Sequence, residues 1–100
     1  MASSIAFYVY ALLCRGGSYY VGVTADKNRR IREHFEGRGP HFTRQFPPIE
    51  VAYVQSFSTR EEAAAWERQL KGWRRDKKQW IFKLLYEQAR KDEEDDTSPI

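Results

Sequence analysis

The sequence predicts an α+β domain, a small three-stranded antiparallel sheet flanked by helices in the order β-β-α-β-α-α. Three observations predict it. Two short runs rich in aromatic and β-branched residues are separated by a glycine pair, the pattern of a hairpin. A third such run stands alone further along. Between and after these runs, apolar residues recur at helical spacing behind residues that cap helices.

Residues 5–14 (IAFYVYALLC) read as a buried strand, Arg15-Gly16-Gly17-Ser18 as its turn, and Tyr19 to Val23 as the antiparallel return. Thr24-Ala25-Asp26 is a loop whose Asp26 caps a helix from about Lys27 to Glu36. Ile31 and Phe35, four apart, are expected to form its apolar face, with Arg30 and His34 stacked on an adjacent one. Gly37 and Gly39 end that helix, and Pro40 is expected to prevent a restart, leaving 37–48 as a basic, Gly- and Pro-rich loop. Ile49 to Phe57 is the third strand.

Thr59-Arg60-Glu61-Glu62 has the form of a capping box, in which hydroxyl and carboxylate satisfy each other's backbone donors. The helix behind it reaches about Lys71, with Ala63, Trp66 and Leu70 inward, and Gly72 interrupts it. Asp76 is expected to cap a last helix with apolar positions Trp80, Ile81, Leu84 and Leu85. Trp66, Trp73 and Trp80 are expected in the core or between helices. One domain, 1–91, is followed by an acidic tail, 92–100, expected to be disordered.

Composition narrows the function. One hundred residues, 41% of them apolar, suffice for one modest core and leave no room for an enclosed chamber, so a site should lie open on a face. That suits a polymer better than a small metabolite. No stretch approaches the ~20 apolar residues of a membrane span, and no signal peptide is apparent. A single cysteine, Cys14, excludes disulfides within the chain and Cys-based zinc sites, and fits a cytoplasmic location. Of 14 acidic residues, five form the run 92–96, so the rest of the chain sets 17 basic against 9 acidic residues. A basic body with an acidic tail is a pattern of nucleic-acid binders.

The hairpin carries two tripeptides, Tyr8-Val9-Tyr10 and Tyr20-Val21-Gly22. Arg30 follows Gly22 by eight residues and His34 comes four later. Glu67 ends Ala63-Ala64-Ala65-Trp66-Glu67, and Lys71-Gly72-Trp73 follows. In order and spacing these elements resemble the GIY-YIG nuclease superfamily, and in particular its short bacterial stand-alone members, over roughly residues 6–83. The chain departs from the pattern at Tyr8, where Gly stands in the family, and at Val23, where some members have Lys. No Asn follows Asn28, whereas several members have one after the metal-binding Glu.

The resemblance implies a DNA endonuclease with one divalent metal, Mg2+ or Mn2+, on Glu67. A single carboxylate suffices because these ions keep several waters. Tyr10 would be the general base on the attacking water, aided by Arg30 or by His34 accepting its proton, and Tyr20 a second phenol bordering the pocket. Arg30 presents a planar donor fork that matches a phosphate. Gly22 has a structural role, because without a side chain it lets the first helix or a phosphate approach.

DNA would be held by Arg29 and Arg32 on the first helix, Arg38 and Arg44 in the loop, and Lys71, Arg74, Arg75, Lys77 and Lys78 around Gly72, through phosphates rather than base edges. With no separate DNA-binding domain apparent, the expectation is structure-selective binding, in repair or recombination, or recruitment by a partner protein. A nucleic-acid-binding module of the same fold without turnover is the alternative.

Overall fold

Strand β1 (Phe7–Cys14) lies between β2 (Tyr19–Thr24) and β3 (Pro48–Phe57), with both pairings antiparallel. The central position explains its composition, because a strand covered on both faces is apolar at every position rather than at alternate ones. Val9 and Ala11 enter one core, Tyr10, Leu12 and Cys14 the other, and all five are buried. The computed structural model describes residues 6–97, with side chains described up to Lys91.

Helices α1 (Lys27–Phe35) and α2 (His41–Gln45) cover the Tyr10 face, where Ile31 and Phe42 pack against Tyr10, Leu12 and Cys14. Helices α3 (Arg60–Lys71) and α4 (Arg75–Thr97) cover the other face and close a core of Val9, Ala11, Val21, Tyr53, Ala63, Leu70 and Phe82. The three-stranded α+β arrangement expected from the sequence is therefore present.

Several local expectations are corrected. The segment 37–48 is not all loop, since α2 occupies its middle. Proline stops a helix from continuing but does not stop one from starting: Pro40, with φ −60°, stands at the N-cap, where a missing N–H costs nothing. In α1 the inward stripe is Arg30, Ile31 and His34, while Phe35 is 45% exposed. α1 ends in a Schellman motif: Arg38 N–H donates to Glu33 O at 2.8 Å and Gly37 N–H to His34 O at 3.2 Å, with Gly37 at φ +77°.

On α3, Glu62 N–H donates to Thr59 Oγ1 at 3.1 Å, but the Glu62 carboxylate accepts from the Thr59 hydroxyl, so only one side of the box forms. Asp76 lies inside the first turn of α4, bonded to Lys77 N–H at 2.9 Å, rather than at its cap. α4 turns Lys78, Ile81, Phe82 and Leu85 inward and leaves Trp80 and Leu84 exposed, so Trp80 is not a packing residue. Trp66 and Trp73 do pack, edge to face at 5.6 Å, and Trp66 Nε1–H donates to Tyr53 Oη at 2.9 Å. α4 runs through 92–97, part of the stretch expected to be a disordered tail, and no Gly or Pro interrupts it before Pro99. Residues 98–100 lie outside the described residues.

Candidate active site

The alternation of β1 sends Tyr10 to the α1/α2 face, and the hairpin register sets Gly22 opposite it. A Cβ on Gly22 would lie 2.6 Å from Tyr10 Oη and 2.7 Å from Cζ. The missing side chain therefore makes room for the Tyr10 ring. This corrects the expectation that it admits the helix or a phosphate.

Asp26 starts α1, accepting from Arg29 N–H at 3.2 Å, and the helix turns His34 into contact with Tyr10. Tyr10 Oη and His34 Nε2 are 2.7 Å apart, and His34 Nδ1 is 2.8 Å from Thr43 Oγ1. The Thr43 hydroxyl donates to Pro40 O at 3.2 Å. A carbonyl only accepts, so the one Thr43 proton is spent there and its oxygen must accept from His34 Nδ1–H. The imidazole is then bare at Nε2 and accepts the Tyr10 proton. Tyr10, His34 and Thr43 are each about 1% exposed, which shuts water out of this chain of bonds.

Burial pushes the Tyr10 phenol up to about 12, the neighbouring Tyr20 adding to the rise and the Arg30 guanidinium opposing it. Burial, then the charge of Arg30, brings His34 down to about 4. At neutral pH the pair is a neutral phenol donating to a neutral imidazole.

Tyr20 lies beside this pair, its ring centroid 4.8 Å from His34 and 6.3 Å from Tyr10, and it stacks on Phe42 at 6.0 Å. Arg30 Nη1–H donates to Glu33 Oε1 at 3.1 Å while its side chain remains 35% exposed, so part of the fork is open to an anion. Tyr10, Tyr20, Arg30 and His34 thus come together as one group.

Glu67 comes from the other layer. Ala63 and Leu70 are fully buried on α3, and Glu67 shares their stripe, which holds it 24% exposed. Its carboxylate pairs with Lys71 Nζ at 3.1 Å, and its charge is felt by the Tyr10 phenol. Among the described residues no three His, Cys, Asp or Glu converge. The donor set therefore fits a hard cation held by one carboxylate and completed by water and phosphate, the habit of magnesium and manganese, rather than a caged metal.

The basic residues divide. Arg32, Arg44 and Arg74 are exposed without an ion pair among the described residues, whereas Arg29 pairs with Asp26 at 3.9 Å and Arg38 with Glu36. Lys77 lies 4.1 Å above the Trp73 ring, and the Arg75 guanidinium packs against Gly17 in the hairpin turn. Lys78 is half-buried beside Lys71.

Sequence reasoning missed Thr43 and Gly39. Gly39 lets the chain close on the histidine, since a Cβ there would meet His34 Nδ1 at 2.8 Å. The available signal was Pro40 followed by His-Phe-Thr, a start for a short helix that would bring a hydroxyl back toward α1.

The chain resembles known proteins in sequence and fold. Residues 6–79 match the GIY-YIG catalytic domain. A UPF0213 protein of Streptococcus pneumoniae serotype 4 is 43% identical over 72 residues, 72% of this chain and 73% of that one. A UPF0213 protein of Halalkalibacterium halodurans is 40% identical over 77 residues, 77% and 82% of the two chains. Among solved structures, the solution NMR structure of a UPF0213 protein from Bacillus halodurans superposes with a TM-score of 0.53 at 39% identity, covering 79% of this chain and 84% of that one. The NMR structure of an E. faecalis protein gives 0.58 at 35% identity, covering 86% and 92%. A domain match across most of the length, on a sheet that joins the two tyrosines to Arg30 and His34, places the chain in the GIY-YIG nuclease family.

Proposed function

We propose that this protein is a divalent-metal-dependent endonuclease that hydrolyses phosphodiester bonds in DNA. The observation that carries the reading is the bond from Tyr10 Oη to the bare Nε2 of His34, a phenol joined to a proton acceptor whose tautomer is set by Thr43. A water attacking phosphorus must lose a proton, and a phenol near 12 is a poor acceptor unless its own proton leaves at the same time. The hydrogen-bond chain gives that proton a destination. With substrate bound and a water admitted to its buried Oη, Tyr10 would take the proton from that water and pass its own to Nε2, and Nδ1–H would keep its bond to Thr43 throughout.

Arg30 acts on the site in two ways. Its charge favours a Tyr10 phenolate while opposing a proton on His34, and its open donors would hold the non-bridging oxygens as negative charge grows, an effect of about 2–4 kcal/mol per donor. Tyr20, half-buried at the rim, would bond the water or the phosphate. A cation on Glu67 would supply the remaining positive charge, at the phosphate and the leaving 3′ oxygen. The exposed Arg32, Arg44 and Arg74 would bind the DNA backbone without reading sequence, so affinity would fall with salt. No described helix is long and apolar enough to cross a membrane. The reading extends to branched, nicked or single-stranded DNA in repair, on the ground that the exposed arginines would hold backbone phosphates without reading base sequence.

The test is a panel of labelled plasmid, flap, junction and single-stranded DNA with magnesium or manganese, with Glu67→Ala and Arg30→Ala beside the parent. Cleavage by the parent alone supports the proposal. Cleavage that survives in both variants points to a contaminant and ends it. Salt-sensitive binding without cleavage assigns the chain to a binding module of the same fold.

A further inference from the structure

Beside the Tyr10–His34 pair, a cleft of about 190 Å³ opens at the edge strand β2. It is lined by Tyr19, Tyr20, Val21, Phe42, Lys71 and Lys78. Its walls come from both layers: Tyr20 and Phe42 belong to the α1/α2 face, and Lys71 and Lys78 to α3 and α4. Its size is below the ~300–1,000 Å³ of pockets that take whole small ligands, and suits one planar ring with an open side.

We infer that this cleft is a subsite for one unpaired nucleotide of single-stranded DNA, its base against Tyr20 and Phe42 and its phosphate between Lys71 and Lys78. Four observations carry this. The Tyr20 and Phe42 rings, with centroids 6.0 Å apart and planes 30° apart, both line the cleft and give it aromatic surface. Tyr19 is braced edge-on against Phe82 at 5.3 Å, which holds the near wall in place. The side chains of two lysines line the same small volume, and among the described residues only Lys71 has an ion pair, to Glu67 at 3.1 Å. Lys78 is half-buried beside that like charge, an arrangement that an anion relieves.

The connection to the site is direct. Tyr20 borders both the cleft and the imidazole of His34, and Lys71 pairs with Glu67. A nucleotide held here would therefore set the adjoining phosphodiester at the Tyr10, Arg30 and Glu67 side. A base inside a duplex has both faces covered by its neighbours and cannot reach such a wall, so the cleft selects strands with an unpaired position. The inference rests on the nuclease reading for the identity of the ligand but not for its test.

That test measures binding by the full chain in EDTA, where metal-dependent cleavage is silent. The probes are a labelled oligothymidine, an abasic oligomer of the same length and charge, and a blunt duplex. Oligothymidine is expected to bind roughly tenfold more tightly than the abasic oligomer, the effect of stacking one base. Phe42→Leu should remove most of that margin and leave abasic binding unchanged. Lys78→Gln should weaken both single strands alike and flatten the salt dependence by about 0.7 in log–log slope. Equal binding of the two single strands, or a preference for the duplex, overturns the inference.

Should Phe42→Leu fail to fold, photo-crosslinking of the parent to an iododeoxyuridine oligomer decides the matter. Crosslinks at Tyr19, Tyr20 or Phe42 support the subsite, and crosslinks confined to other peptides overturn it. The two readings separate cleanly: metal-dependent cleavage without a base margin removes the subsite alone, and a base margin without cleavage removes the nuclease alone.

Discussion

Thr43→Val removes one oxygen from the centre of the site and almost nothing else. Valine has nearly the volume of threonine, so no cavity forms at this 1%-exposed position. Two bonds are lost, the 2.8 Å contact with His34 Nδ1 and the 3.2 Å bond to Pro40 O. The buried imidazole cannot recover its share. If it keeps the Nδ1–H tautomer, that donor is stranded without water. If it shifts to Nε2–H, it faces the Tyr10 hydroxyl with a donor and Tyr10 loses its acceptor. Either way a buried polar group is left unsatisfied, at a cost of about 1–3 kcal/mol. In a domain of this size each kcal/mol moves the melting temperature by about 4–8 °C. Urea unfolding with a matching thermal scan measures the loss. Imidazole 15N shifts read the tautomer: the parent should show His34 protonated at Nδ1 and bare at Nε2, and the variant should lose that state. Turnover should fall by about 10- to 100-fold, part of what a positioned base contributes. A parent histidine protonated at Nε2, or a variant as stable as the parent, would refute the relay.

Gly22→Ala should destabilise by about 1–3 kcal/mol, because the added carbon meets a Tyr10 ring that is buried and tied to His34; unchanged stability in denaturant would mean the ring moves aside freely. His34 ionises near 4 when folded and near 6.5 when unfolded, so the folded state gains nothing from protons the unfolded chain binds. Its contribution is whole above pH 6.5 and is lost as pH falls toward 4, by about 3 kcal/mol, and pH-dependent unfolding of the parent against His34→Gln should show that window flattened in the variant. Leu70→Ala, at a fully buried position, should cost about 2–5 kcal/mol, whereas Trp80→Ser, at a ring 60% exposed, should stay within about 0.5 kcal/mol; comparable losses in chemical denaturation would contradict the assigned face of α4.

Local chemistry was legible in the chain. The β1 run, the glycine turn, Asp26 at the start of α1 and Thr59 at the start of α3 announce their elements because hydrogen bonds within a few residues decide them. The spacing from Gly22 to Arg30 and His34 was equally visible, as part of the resemblance to the GIY-YIG family. Faces were less legible. α4 offers two overlapping apolar stripes, one through Trp80 and Leu84 and one through Ile81 and Leu85, and no local energy separates them. The sheet it packs on chooses the second, with Phe82 at its centre.

The tyrosine and glycine of the hairpin mark the same division. Their presence, and their placement on neighbouring strands, belong to the sequence. That the glycine is empty to seat the Tyr10 ring, that the ring ends on His34, and that Thr43 sets which nitrogen receives it are decisions of the tertiary structure. They depend on α2 folding back over α1, a contact between segments whose own sequences specify no partner. Burial then does what no isolated residue does: it keeps Tyr10 and His34 neutral and joined by one proton.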